Sequence, residues 1–75
     1  MRNGYYIVKG YRNDAGRKLM QFAGVDNNEE VYLEKTSYTD RCACCGKTTY
    51  WTMEGEYSTP VGTRCVENLI LEKIK

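Results

Sequence analysis

Three of the chain's four cysteines, Cys42, Cys44 and Cys45, fall within four residues, and Cys65 follows after nineteen more. A domain of 75 residues leaves roughly 40% of its unfolded surface in water even when folded, so apolar burial alone gives a thin margin and some staple is expected. What the cysteines can staple depends on compartment. Residues 1–8 carry a charge but no apolar core of the kind a secretory leader needs, and nowhere do roughly 18 apolar residues run together as a membrane span requires. The sequence therefore reads as cytoplasmic with no membrane segment. Reducing conditions disfavour structural disulfides, and the cysteines read first as metal ligands.

Cys42 and Cys45 form a C-x2-C-G unit with Gly46. Two thiolates must each approach one ion to about 2.3 Å, and a tight turn followed by a permissive glycine allows this while backbone amides point at the sulfurs. The interval to Cys65 is long enough for a β-hairpin, and Cys65 lies in the first turn of an expected helix, whose N-terminus favours a thiolate. The ion expected from this ligand chemistry is Zn2+.

The pattern Cys42-x-x-Cys45-Gly46, then after a hairpin Val61-Gly62-Thr63-Arg64-Cys65, resembles the C-x2-C-G…V-G-x2-C pattern of small treble-clef-like zinc proteins, many of them encoded by phages and prophages. The resemblance covers residues 41–75. It implies a structural zinc, a non-catalytic role, and Cys42, Cys45 and Cys65 as ligands. One departure is plain: a full treble clef has a second ligand pair, yet Gly62 stands three residues before Cys65 and the chain has no histidine. The fourth ligand is open between Cys44, a carboxylate such as Asp40 or Glu56, and water. Competing readings of the cysteines are small core residues, a disulfide scaffold with three possible pairings, and a redox pair at Cys42 and Cys45.

The remaining sequence predicts an α+β single domain over residues 1–75. Tyr5 to Arg12 is rich in aromatic and β-branched residues, Asn13-Asp14-Ala15-Gly16 has turn chemistry, and Arg17 to Phe22 resumes an extended pattern, which predicts a hairpin. Glu30 to Glu34 adds a third strand, so residues 1–40 predict an antiparallel β-meander. Residues 41–75 predict a zinc knuckle, a β-hairpin built on Thr48–Met53 and Tyr57–Thr59, and a C-terminal helix from Thr63 to Lys75. On that helix Val66, Leu69, Ile70 and Ile74 share an apolar face.

The net charge of +1 conceals a block structure: residues 1–22 sum to +4, residues 23–40 to −4 and residues 41–75 to +1. If the first two blocks pair in a sheet, they neutralise one another; otherwise they make a dipolar surface that orients a partner. Arg41, Lys47 and Arg64 read as compensation for the thiolates. Seven tyrosines and Trp51 supply bulk to a small core, or else a binding face. On the second reading Tyr5, Tyr6 and Tyr11 beside Arg12, Arg17 and Lys18 would anchor a protein partner or stack on bases. No nucleoside-phosphate loop, nucleophile elbow or H-E-x-x-H motif occurs, so the chain reads as a non-enzyme. The leading expectation is a metal-stabilised module that binds another protein, as a phage-type accessory or inhibitor of a host machine. A nucleic-acid-binding module and a thiol redox or metal-relay protein are the rivals.

Overall fold

In a computed structural model that describes residues 1–74, the chain forms one antiparallel sheet with a helix across one face. Lys75, the last residue of the expected helix, lies outside the described residues. The elements are β1 (Gly4–Tyr11), α1 (Asp14–Ala23), β2 (Glu30–Arg41), β3 (Thr48–Glu54), β4 (Ser58–Pro60), α2 (Thr63–Val66) and β5 (Leu69–Lys73). The five strands lie in the order β4-β3-β2-β1-β5. The α+β class is as expected, and the hairpin after the knuckle forms as β3 and β4.

Two elements differ from expectation. Arg17 to Phe22 belongs to helix α1, so the first forty residues are strand, helix, strand and not a meander. Asn13, which reads as a turn residue, is the N-cap: its side-chain carbonyl accepts from the Gly16 N–H at 3.1 Å. Gly24 ends the helix in the left-handed region at φ 68°, its N–H donating to Met20 and Gln21 carbonyls. Between these caps Gly16, Leu19, Met20 and Ala23 form the buried stripe, at i, i+3, i+4 and i+7. Gly16 also has to be small. A Cβ there would collide with the Asn68 carbonyl oxygen and come 2.9 Å from Tyr11 Cβ.

The second difference is at the C-terminus, where the expected helix stops after one turn and Leu69–Lys73 becomes a strand. The cause is the edge of β1, whose backbone groups need partners. β5 supplies them with the register Val8↔Leu71 and Ile7↔Glu72, then shifts by one residue before Gly10↔Ile70. That bulge is accommodated by Gly10 at φ 147°. Of the four residues assigned to a helical face, Val66 and Leu69 are buried, while Ile70 and Ile74 are exposed on or beside the strand.

The core lies between the sheet and α1. Val8, Val31, Leu33 and Met53 on successive strands, Leu19 on the helix, and Val61 in the loop before α2 are almost wholly excluded from water. Cys42 and Cys65 belong to the same cluster and close one end of it. Burying each large aliphatic side chain contributes roughly 1.5–3 kcal/mol. The other face of the sheet carries no helix. Register places Tyr5, Ile7, Tyr32, Glu30, Glu34, Glu54 and Glu72 on it.

Candidate metal centre

The turn after β2 is closed by two backbone hydrogen bonds, Gly46 N–H to Cys42 O at 2.9 Å and Cys42 N–H to Lys47 O at 2.8 Å. Gly46 takes φ 77°, the conformation expected of a glycine following the second ligand. A third bond, Ala43 N–H to Pro60 O at 2.9 Å, ties the turn to β4. Cys65 arrives from the other side on α2, whose single turn is closed by Val66 N–H to Gly62 O at 3.1 Å. The cysteines are thus brought together by the sheet and not by sequence proximity alone.

Cys42, Cys45 and Cys65 have sulfurs all within 4.8 Å of one another. Thiolates sharing a tetrahedral zinc stand roughly 3.8 Å apart, given bonds of about 2.3 Å, so a contraction of at most about 1 Å closes the three on one ion. Cys42 and Cys65 are buried and Cys45 is exposed, so the group sits at the boundary between core and solvent. Gly62 lies against the cluster: a Cβ there would make ordinary contact at 3.7 Å from Cys42 Sγ and 3.9 Å from Cys45 Sγ.

The electrostatics separate the thiols. Burial pushes the Cys42 thiol up, but backbone N–H groups of Cys45, Gly62 and Cys44, with the Cys65 thiol, outweigh it and hold Cys42 at about 7. Amides aimed at a sulfur are what the knuckle turn was expected to supply. Burial, followed by the neighbouring thiols of Cys45, Cys42 and Cys44, pushes Cys65 well above the ordinary thiol range. In the metal-free cluster Cys42 is therefore the thiol that ionises more readily and Cys65 the one that resists ionisation. The helix N-terminus expected to favour a Cys65 thiolate is here a single four-residue turn, and burial is the largest influence on Cys65.

Of the candidates for a fourth ligand, Cys44 borders the group, its thiol near enough to Cys65 to push that thiol up, but lies outside the mutual 4.8 Å set. Cys44 Sγ faces helix α1 and donates to the Ala15 carbonyl at 3.8 Å, a contact that secures the turn against the helix. Asp40 accepts from the adjacent Arg41 N–H at 2.7 Å. Glu56 lies with Gly24, Val25 and Asp26 around a different depression. Among the described residues the group of possible ligand atoms is three sulfurs. None of the four cysteines is paired in a disulfide.

The aromatic and basic candidates do not form one surface. Tyr5 lies on the open sheet face, its ring centre 4.7 Å from that of Tyr32. Tyr6 turns toward the core side, its hydroxyl donating to Arg2 O at 2.7 Å and its ring beneath Lys73. Tyr11 is carried past the bulge to lie against α1 at Gly16. Arg12 donates to Glu67 O at 3.2 Å, Arg17 pairs with Asp14 at 2.6 Å and Lys18 lies 3.8 Å from the same carboxylate. Among the described residues both ion pairs thus lie within the basic block, and the two charge blocks, although paired through β1 and β2, are joined by no direct ion pair. Sequence reasoning missed Glu30, Glu34, Glu54 and Glu72 as one constellation. Their alternation along strands was readable, but their shared face required the strand order.

No family model, curated protein or solved structure matches the chain.

Proposed function

We propose that this chain is a zinc-stabilised, non-catalytic interaction module, with Cys42, Cys45 and Cys65 as the metal ligands. The observation that carries the reading is the convergence of three sulfurs from two separate segments at one end of the core. A soft, borderline ion matches an all-thiolate set, and zinc bound there joins the knuckle to α2 and so contributes directly to folding. The order of turn, hairpin and ligand-bearing helical turn is that of a treble clef with its helix cut to four residues. The fourth position is filled by water or by Cys44 after it leaves Ala15. The zinc supplies a fixed divalent cross-link; the protein supplies buried walls and amides directed at Cys42.

The surface that would engage a protein partner is the open sheet face. Tyr5, Tyr32 and Ile7 form its half-exposed centre, and Glu30, Glu34, Glu54 and Glu72 surround them. Lys9, at the bulge beyond Ile7, borders the patch, where its Nζ donates to Asn28 Oδ1 at 3.4 Å, and the four carboxylates outnumber it. Aromatic anchors inside an acidic ring suit a basic protein segment. The test combines metal analysis of the purified chain with titration of an Arg/Lys-rich peptide followed by amide NMR. One zinc per chain, and shifts confined to the Tyr5–Tyr32 face, are the expected results. A metal-free folded chain refutes the centre; shifts elsewhere, or none, refute the surface.

A further inference from the structure

Beside the cysteine cluster runs a groove of about 670 Å³, bounded by Lys35 and Trp51 on neighbouring strands, Cys45 and Lys47 in the knuckle, and Arg64 and Cys65 on α2. That is the size of a small-ligand site. Its charged lining is entirely cationic apart from the thiols: no aspartate or glutamate borders it. Both ion pairs among the described residues belong to Asp14, so Lys35, Lys47 and Arg64 are not neutralised by carboxylates. Three thiolates around a divalent ion leave one negative charge, and the three cations exceed it by two. Compensation of the metal centre accounts for only part of this charge. The lining also includes the exposed hydroxyl-bearing Thr48 and Thr63, and the half-buried Trp51 gives an aromatic wall.

We propose that this groove binds a nucleotide unit, with the phosphate held by Lys47 and Arg64 and the base against Trp51, presented either as a free nucleotide or within a single strand. Cations alone would suit any anion; the indole beside them favours a phosphate attached to a planar base. The inference rests on the metal-centre reading in one respect, since zinc would hold Cys45 and Cys65, and with them two walls of the groove, in register.

Trp51 is the chain's single tryptophan, so its fluorescence reports on the groove. The zinc-treated full chain is titrated with AMP, with adenosine and with a short oligo-deoxyadenylate. AMP or the oligonucleotide should quench Trp51 with affinity at least about tenfold above that of adenosine, and the difference should shrink as salt rises. Lys47→Glu with Arg64→Glu, both at exposed positions, should weaken binding about tenfold, and Lys47→Gln alone by a smaller factor. Tighter binding of the oligonucleotide assigns the site to a strand; equal binding per site assigns it to the free nucleotide. The proposal is overturned if neither phosphate-bearing probe binds better than adenosine, or if the charge-reversed chain binds as the wild type does. Zinc content of the same samples separates the two readings. A zinc-loaded chain indifferent to AMP removes the groove and leaves the centre, whereas a zinc-free chain that binds AMP removes the centre alone.

Discussion

Cys65 has the most to lose by substitution, because it is the sulfur that α2 brings to the knuckle and it is buried. Cys65→Ser should abolish stoichiometric zinc binding and remove a large part of the folding free energy, since structural zinc contributes on the order of 10 kcal/mol to small domains that depend on it. Metal analysis and thermal unfolding of the variant check this. Cys44→Ser should behave differently: with its sulfur at the Ala15 carbonyl and not in the cluster, zinc content should stay at one per chain and stability should fall by about 1 kcal/mol or less. Loss of zinc from the Cys44 variant would make Cys44 the fourth ligand. Both Cys42 and Cys45 were identifiable from C-x2-C-G spacing, and Cys65 from its place after a hairpin. The position of Cys44 was not, because whether a residue inside a tight turn faces inward or toward a neighbouring helix depends on where that helix packs.

Helix α1 shows how local signals compete. Asn13, Asp14, Ala15 and Gly16 suit a turn as well as a helix start, and only the packing of Leu19, Met20 and Ala23 against Val8, Val31 and Leu33 decides between them. Asn13→Ala should cost about 1 kcal/mol by removing the cap, and Gly16→Ala should destabilise despite alanine's better helix propensity, because its methyl meets the Asn68 carbonyl. Denaturant unfolding measures both, and a more stable Gly16→Ala chain would contradict the packing described. Asp14 adds a pH term. Its hydrogen bond and charge pairing with Arg17 hold the carboxyl below the usual range, so this contribution is complete above the ordinary carboxylate range and is lost as pH falls through the lowered value. Both side chains are exposed, and the effect should be a slight loosening of the helix in acid, visible by circular dichroism. For β5 the sequence had an equally helical reading, with Leu69, Ile70 and Ile74 at helical spacing. It pairs as a strand because β1 offers an edge, a fact no local window contains.

The molecule as a whole is a two-layer fold, one sheet face covered and one open, with the covered layer closed at one end by thiols. Class, the hairpin and the Cys42–Cys45 turn were legible from local spacing, and Cys65 from its place one hairpin further on; strand order, and with it the acidic face and the cationic groove, was not. On the proposed zinc reading, stability depends on a metal that only deprotonated sulfurs bind. Cys65 holds its proton in the metal-free cluster, so zinc loading must release protons and should weaken as pH falls. A chelator at neutral pH should then lower the unfolding midpoint by many degrees, and added zinc should restore it. The most direct check is native mass spectrometry of the freshly purified chain under non-reducing conditions. The predicted spectrum shows one zinc per chain with compensating proton loss, and no disulfide. A folded chain at its metal-free mass, or one lighter by the hydrogens lost in sulfur–sulfur bonds, would contradict a metal centre at Cys42, Cys45 and Cys65.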